Sequence, residues 1–310
     1  MNSSLQTLPE SPISTAFKKR ISTATVAICT RNRPVVLQKC LAAVARLNPA
    51  PAYVIVIDNS EGNRDTRKVA VDYGARYIIE PVRGLCRARN RALTECDTDI
   101  LAFLDDDVTP TSNWLRHLIE PFSDERTGAS TGSVTAPDTL LIDHPQQSSR
   151  DLSNQDPHWF EIATFGGLGF GENMALRKRA CTPGKFFDER LGRDGPFEIG
   201  DESYAFASIL ARGHRVVYTP SAVVHHPLPT RTEVDRDARN SFSYWLLLFS
   251  EFPDQRLNLL RVLVRRLRGR KLEWKPNPQD PCEVTSRRLN WRINAAFRGF
   301  VLFLRTPKCR

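Results

Sequence analysis

The chain has 310 residues, of which 41% are hydrophobic and 25% charged, values that fit a globular protein with a full core and exclude a fibrous or wholly disordered chain. Its net charge of +9 lies almost entirely in residues 231–310, which contain 18 Lys and Arg against 8 Asp and Glu, so the rest of the chain is close to neutral. The seven cysteines are odd in number, scattered and never spaced CxxC, which argues for a reducing cytosol and against a disulfide framework or a zinc site.

The first 22 residues precede the first predicted strand. They are polar and lack the apolar segment of a secretory signal peptide. We therefore expect residues 1–22 to be a disordered leader and the protein to be cytoplasmic.

Strand and helix patterns alternate from residue 24 onward. Strands are predicted at 25–29, 53–57, 76–79 and 100–104, and Pro34 suits the first turn of the helix after the first strand. Strands separated by helices of about a dozen residues imply right-handed crossovers and a mostly parallel sheet. Because the carboxyl ends of parallel strands meet at one edge, the polar residues that follow them are expected to lie together. These residues are Thr30, Asp58, Arg83 and the triplet Asp105 to Asp107.

The aspartate triplet is the most informative feature of the chain. It ends the apolar run 100–104, which is typical of a buried strand. Three adjacent carboxylates repel each other, so a fold retains them where a cation or hydrogen bonds compensate their charge. Hard oxygen ligands of this kind suit Mg²⁺ or Mn²⁺ held together with substrate phosphates. The alternative is a solvated acidic turn.

The second half of the chain begins with a stretch of little periodicity at 138–170. This stretch contains His144 and Trp159, and it is either a substrate-facing loop or a connecting coil. Its glycine cluster does not form a phosphate-binding loop, because the GxxxxGK[ST] pattern is missing from the sequence. Regular elements are predicted again further on: a strand at 172–177, a helix at 203–212 and a strand at 215–218.

Basic and apolar residues are interleaved in the last 80 residues. The apolar stretches at 243–249 and 299–304 are far shorter than the roughly 18 residues that span a bilayer. The region is therefore either a peripheral anchor on an anionic membrane surface, on the inner face of the cell membrane, or a packed helical subdomain. No recognised nucleic-acid motif accompanies the basic charge, so we expect no nucleic-acid partner.

Six motifs, in order, resemble those of the family 2 glycosyltransferases of the GT-A fold. The resemblance covers residues 24–228 and depends on the whole set, because each motif alone is weak. The motifs are CTRNRP at 29–34, like PTYNRP; VIDNS at 56–60, like VVDDGS; RGLCRARN at 83–90, like NRGLAAARN; the DxD element at 105–107; GENMALR at 171–177, like GANMAFRR; and FDERLG at 187–192.

The resemblance implies a GT-A (Rossmann-like) α/β fold, with a mostly parallel central sheet flanked by helices and a C-terminal helical extension. It implies a leader at 1–22, a glycosyltransferase domain at 23–229 and a basic amphipathic helical region at 230–310. Within the glycosyltransferase domain, 23–135 would bind the nucleotide-sugar and 136–229 the acceptor.

The resemblance also implies a nucleotide-sugar donor, a divalent metal and inversion at the anomeric carbon. Asp107 is then expected to bind the metal together with His226, His225 being the alternative histidine. For Arg89, one of the residues assigned to donor binding, the alternative is a surface salt bridge on its helix. The residues expected to bind the donor are Thr30, Arg31, Asn32, Asp58, Arg83, Gly84, Arg89, Asp105 and Asp106.

The general base is expected in the sequence Gly200-Asp201-Glu202. The family pattern there is GED, so the two acids are exchanged in this chain. Position-by-position matching assigns the base to Glu202. Asp201 remains a competitor, and both acids also suit a helix N-terminus without any catalytic role.

The function that follows is an inverting, metal-dependent glycosyltransferase. It would move a sugar from a nucleotide-sugar to a glycan or lipid-linked acceptor, in cell-surface polysaccharide synthesis. Two alternatives stay open: a catalytically idle nucleotide-sugar-binding or scaffold protein, and a sugar-phosphate nucleotidylyltransferase. The second is disfavoured because residues 30–34 replace the glycine-rich loop of that class.

Overall fold

The computed structural model describes residues 24–135, 149–165, 168–182, 185–226, 234–267 and 289–307. The expected leader at 1–22 and His144 lie outside these residues.

The described residues contain nine strands, which join in one sheet. They are β1 (Ala24–Thr30), β2 (Tyr53–Asp58), β3 (Arg76–Ile79), β4 (Ile100–Asp105), β5 (Thr109–Pro110), β6 (Thr127–Thr135), β7 (Arg150–Leu152), β8 (Asn173–Arg177) and β9 (Arg215–His225). The order across the sheet is β3-β2-β1-β4-β8-β6-β9-β5, and β7 pairs with β9.

Helices cover the sheet and extend beyond it at the C-terminus. They are α1 (Pro34–Val44), α2 (Arg64–Asp72), α3 (Leu85–Glu95), α4 (Trp114–Ile119), α5 (Trp159–Thr164), α6 (Asp201–Ala211), α7 (Val234–Glu251), α8 (Arg256–Leu267) and α9 (Leu289–Arg305).

The sheet is parallel in its first half and mixed in its second. Strands β3, β2, β1 and β4 are parallel neighbours, as the helix–strand alternation predicts. Strand β8 is antiparallel to both β4 and β6, and β9 is parallel to β6 but antiparallel to β5 and β7. The strands predicted at 172–177 and 215–218 are β8 and the start of β9. An antiparallel strand needs no crossover helix, so the alternation of strands and helices does not predict its direction.

Both faces of the central strands β1 and β4 are buried, which explains their continuous apolar sequences. In β1, Ala27 and Cys29 face one hydrophobic core, while Val26 and Ile28 face another. Successive side chains of a strand point to opposite faces, so this alternation follows from the strand geometry. The first half of the sheet is therefore a rigid platform between two layers of helices.

The C-terminal helices share the core of the sheet domain. Leu247 and Leu248 of α7 and Leu259 of α8 are fully buried and belong to the same core cluster as Phe103 of β4. The Phe303 ring of α9 stacks on the Phe197 ring of the sheet domain with 6.3 Å between ring centroids. The apolar stretches of the C-terminal region thus contribute packing. Among the helices within the described ranges, none has the length and apolar character that a bilayer crossing requires.

Candidate active site

The strand register brings the predicted polar residues to one edge of the sheet. Thr30 is paired with Asp58 at the ends of β1 and β2, and Cys29 is paired with Asp105 of β4. On the other side of β4, Leu104 is paired with Asn173, so the residue before β8, Glu172, lies beside the aspartate triplet. The carboxyl edge of the parallel strands therefore collects the acidic residues, as the sequence predicts.

The middle aspartate of the triplet is held inside the protein. Asp106 is completely buried, and its carboxylate accepts a hydrogen bond from Thr30 Oγ1 at 2.5 Å. Arg33 donates to both of its oxygens. Burial nevertheless raises the pKa of Asp106 to about 6, because desolvation outweighs these partners. Asp106 and Thr30 thus organise the loop after β4, and neither has a free oxygen facing outward.

Asp107 and His226 form the part of the site that suits a metal ion. His226 Nε2 lies 3.4 Å from Asp107 Oδ1, a buried atom that makes no hydrogen bond of ordinary geometry with the described residues. The other oxygen accepts from Arg33 Nη1 at 2.9 Å. The His226 ring, followed by Arg33, lowers the pKa of Asp107. His225, the alternative histidine, is instead bonded to Thr135 Oγ1 at 2.8 Å.

A carboxylate suits Mn²⁺ or Mg²⁺ when phosphates complete the shell, and an adjacent imidazole adds a nitrogen ligand that Mn²⁺ accepts more readily than Mg²⁺. The described residues contain no group of three or more His, Cys, Asp or Glu side chains arranged to hold a metal without help. Asp107 Oδ1, a buried oxygen with the His226 ring beside it, therefore fits a metal that is bound jointly with a substrate.

Asp58 is completely buried at the end of β2. Its carboxylate accepts hydrogen bonds from Ser60 Oγ at 2.7 Å, the Asn63 amide at 2.9 Å and Tyr77 Oη at 2.6 Å. Burial and the neighbouring Asp58 raise the pKa of Tyr77 to about 12. These contacts fix the loop between β2 and α2, and the predicted part of Asp58 in donor binding is additional to them.

Asn59 organises the loop before α3. It lies in the motif at 56–60, but the sequence alone does not indicate a role for it. Its side-chain amide donates to two loop carbonyls, Glu80 O at 3.0 Å and Val82 O at 2.7 Å, and its Oδ1 accepts from the Gly84 amide at 2.8 Å. Gly84 has φ of 142°, a conformation that favours glycine. This network presents Arg83 at the rim, where it pairs with Asp194.

The remaining predicted donor residues of the first motif lie at the surface. Arg31 and Asn32 are exposed at the end of β1, and Asn32 has a positive φ of 55°. Asn32 Oδ1 accepts a hydrogen bond from Asn63 at 3.4 Å. Arg31 therefore remains available to a ligand at the rim.

Arg89 is a buried ion-pair residue, 2% exposed, and its guanidinium is directed at the chain's own carboxylates. It pairs with Asp201 of α6 and lies 3.5 Å from Asp105 of β4. The Phe103 and Phe187 rings lie on it at 5.9 and 5.8 Å from their centroids. The alternative of a surface salt bridge is therefore wrong, and the predicted contact of Arg89 with the donor would have to form in addition to its two ion pairs.

Asp201 and Glu202 open α6 beside this arginine. The pKa of Glu202 is raised well above its usual range, mainly by burial and secondly by the adjacent Asp201 charge. Glu172 has its pKa raised to about 7, chiefly by burial and by Asp105. Tyr244 of α7 lies against the turn, since a Cβ on Gly200 would be 2.6 Å from the tyrosine ring. The aspartate triplet and the Asp201–Glu202 turn are thus two sides of one site.

Four residues at the site escaped the sequence analysis as functional candidates. Arg33 lies inside a recognised motif, and Glu172 stands where the GANMAFRR pattern has alanine, so both left a signal in the sequence. Asp194 and Tyr244 left none, because their positions depend on a loop and on the packing of α7. Trp159, in the stretch predicted to be a substrate-facing loop or a connecting coil, packs edge-on against Phe160 with 5.4 Å between ring centroids.

Comparison with known proteins gives a family and a fold. Residues 25–181, just over half of the chain, match the sequence model of the family described as Glycosyl transferase family 2. The chain is similar to the succinoglycan biosynthesis protein ExoM of Rhizobium meliloti (strain 1021), with 30% identity over 66% of each chain. It is also similar to a glucosyl-dolichyl phosphate glucuronosyltransferase of Haloferax volcanii, with 24% identity over 59% of this chain and 61% of the relative. The matches thus span less than two thirds of either relative.

Solved structures place the fold in the GT-A class. A mannosyltransferase of Pyrobaculum calidifontis, solved with GDP-Man and Mn²⁺, matches 93% of this chain and 76% of its own with a TM-score of 0.56 and 16% identity. S. aureus TarS 1-349 matches 73% of this chain and 64% of its own with a TM-score of 0.54 and 12% identity. The predicted α/β fold class is confirmed.

Proposed function

Because the chain belongs to the family 2 glycosyltransferases, we propose that it transfers a sugar from a nucleotide-sugar donor to a glycan or lipid-linked acceptor, with inversion and with a divalent metal. The observation that carries this proposal is that buried Arg89 pairs both with Asp105, the first residue of the aspartate triplet, and with Asp201, the neighbour of Glu202. Similarity to an enzyme named for succinoglycan biosynthesis supports a role in cell-surface polysaccharide synthesis.

The donor side of the proposed site would hold the nucleotide-sugar. In this proposal Asp105 accepts hydrogen bonds from the ribose, and Arg31 and Arg83 bind the diphosphate at the rim through charge-assisted hydrogen bonds. Asp107 and His226 would hold the metal, and its charge would stabilise the negative charge on the departing diphosphate. The Mn²⁺ of the Pyrobaculum enzyme supports the choice of a divalent cation of this type.

The acceptor side supplies the base. Glu202 takes the proton of the acceptor hydroxyl as the hydroxyl oxygen bonds to the anomeric carbon. The bond from that carbon to the diphosphate oxygen breaks, and the nucleoside diphosphate leaves with the bonding electrons. Attack opposite the leaving group inverts the anomeric configuration. A general base of this kind contributes about 10²- to 10⁴-fold.

The test combines donor identification with the base assignment. A thermal-shift screen of UDP-, GDP- and dTDP-sugars with and without Mn²⁺ names the donor. With that donor, Glu202→Gln should lose about 10²- to 10⁴-fold in kcat while donor binding is retained, and the exposed, distant Glu125→Gln serves as control. Unchanged turnover of Glu202→Gln would remove the assignment. A wild-type chain that binds donors and transfers no sugar to any acceptor would favour the nucleotide-sugar-binding alternative.

The C-terminal helices support a peripheral contact with an anionic lipid surface. Exposed apolar side chains repeat three or four residues apart on α8 and on α9, and they alternate with arginines within a region that carries a surplus of basic residues. Such a pattern binds the headgroup region by apolar insertion and by attraction to anionic lipids. The apolar residues are Leu257, Leu260 and Val264 on α8, and Phe297, Phe300 and Leu304 on α9.

This contact is best tested with point variants, because α7 and α8 supply core residues and their deletion would disturb the fold. Phe297 and Leu304 are 66% and 67% exposed, so their replacement by serine leaves the core intact. The double variant should sediment less with anionic vesicles, whereas Val71→Ser, 59% exposed on α2, should not differ from wild type. Equal sedimentation of all three proteins would reject the membrane contact.

A further inference from the structure

The buried arginine of α3 connects the two sides of the site. Arg89 Nη1 donates to Asp201 at the start of α6, and Arg89 Nη2 lies 3.5 Å from Asp105 at the end of β4. Asp105 belongs to the donor side and Asp201 to the turn that carries Glu202. A single guanidinium therefore fixes the distance between the donor side and the base. Its planar group with several N–H donors suits the simultaneous binding of two carboxylates.

The surroundings of Arg89 leave the side chain one position. Two aromatic rings, Phe103 and Phe187, lie on its guanidinium at 5.9 and 5.8 Å. The backbone of Gly171 comes so close that a Cβ there would be 2.8 Å from Nη2. On the far side of the ion pair, a Cβ on Gly192 would be 3.2 Å from the carboxyl carbon of Asp201. Both partners are thus confined, and neither can turn toward solvent without repacking.

We infer that Arg89 is a positioning residue, which through its ion pairs with Asp201 and Asp105 holds the helix start that carries Glu202 in register with the donor. The inference rests on the proposed function and deepens it, because it gives Asp201 a role other than that of the base. Asp201 anchors the turn, and Glu202, one residue further on, is left to meet the acceptor hydroxyl. A misplacement of about 1 Å at such a site is enough to lose roughly 10²-fold in rate.

The arrangement also sets the charge around Glu202. The charged or titratable groups that face it are Asp201 on its own helix, Arg89 and Cys86 from α3, Glu172 before β8 and Tyr244 from α7. Of these, Asp201 raises the pKa of Glu202 and Arg89 lowers it. Removing the Arg89 charge should therefore raise the pKa of Glu202, and removing the Asp201 charge should lower it. A purely structural role of the ion pair does not produce such opposite shifts.

The experiment compares Arg89→Gln and Asp201→Asn with wild type. In the pH profile of kcat/KM, the acid limb should move to higher pH in Arg89→Gln and to lower pH in Asp201→Asn, each by about one pH unit. Arg91→Gln is the matched control, since Arg91 lies on the same helix in an exposed pair with Glu95, and its profile should be that of wild type. Limbs that move in the same direction, or remain in place, would overturn the inference.

A second measurement does not depend on turnover. The Glu202 carboxyl can be titrated by NMR in selectively labelled protein, with Glu202→Gln providing the assignment, and it should show the same opposite displacements. This result separates the two proposals, because a wild-type chain without transfer activity contradicts the proposed function, whereas an undisplaced Glu202 titration contradicts the positioning role. Asp201→Asn that is folded, binds donor and is inactive at every pH would make Asp201 the base and would also overturn the inference.

Discussion

The donor side and the acceptor side of the site are built in different ways. On the donor side, each buried aspartate has its own partners from neighbouring loops: Asp58 has Ser60 and Tyr77, and Asp106 has Thr30 and Arg33. On the acceptor side, Asp201 depends on Arg89, which comes from the donor half. The comparison teaches that the donor side is organised locally, whereas the base turn takes its position from the rest of the molecule.

The largest expected effect is on the donor side. Asp107→Ala removes the oxygen that fits the metal and leaves His226 without its carboxylate partner, while Arg33 keeps its pairing with Asp106. We expect kcat/KM to fall about 10³-fold or more, since metal-ion stabilisation of a leaving group supplies several kcal/mol. Removal of divalent ions by a chelator should reduce the wild type to a similar level, and it should have little further effect on the variant. Full activity after chelation would show that the donor side works without a metal.

A smaller effect is expected where side-chain hydrogen bonds hold the second half of the sheet together. Asn173 at the start of β8 donates to the Ser133 and Ala222 carbonyls at 2.8 Å and accepts from Trp114 Nε1 at 2.8 Å. Asn173→Ala leaves these buried groups unpaired, so the free energy of unfolding should fall by about 3 kcal/mol. Urea denaturation measures it, with the exposed Gln155→Ala as control. A loss below that of the control would mean that the sheet needs no such side-chain link.

A further effect is expected at Glu172, whose burial beside Asp105 makes its charged form unfavourable in the folded protein. Its folded pKa of about 7 lies above the unfolded value, so the folded protein binds the extra proton and the wild type loses stability as the pH rises from about 4.5 to 7. Glu172→Gln lacks this loss. Relative to wild type, the variant should gain roughly 1–3 kcal/mol in unfolding free energy between pH 5 and pH 8. A difference in unfolding free energy that does not change with pH would mean that burial beside Asp105 does not raise the pKa of Glu172.

The smallest effect is expected for the exposed counterpart of Arg89. Arg83 also crosses between the halves, pairing with Asp194, but it lies at the rim with 60% of its side chain exposed. Arg83→Gln should change the free energy of unfolding by less than about 1 kcal/mol, because exposed ion pairs contribute little. Its donor KM should rise several-fold if Arg83 binds the diphosphate. A large loss of stability would place Arg83 in the same class as Arg89.

The sequence predicts the donor side well, for a physical reason. Alternating strands and helices specify β1 to β4, and the residues that follow them, such as Thr30 and Asp58, must then share an edge. The strand predicted at 172–177 is β8, but its sequence does not show that it is antiparallel, and the short elements β7 and α5 leave no pattern. The buried pairing of Arg89 with Asp201 spans 112 residues of sequence, so only the packed fold reveals it.

The contact of Tyr244 with the Gly200 turn has a consequence for protein engineering. A residue of α7, close to the boundary at which the C-terminal helices would be exchanged between relatives, occupies space that any side chain at position 200 would need. A hybrid enzyme that takes the C-terminal helices from one parent and the Gly200 turn from another would pack a helix against a turn that it does not fit. Grafts intended to alter acceptor choice should therefore transfer the turn and the helix as one cassette.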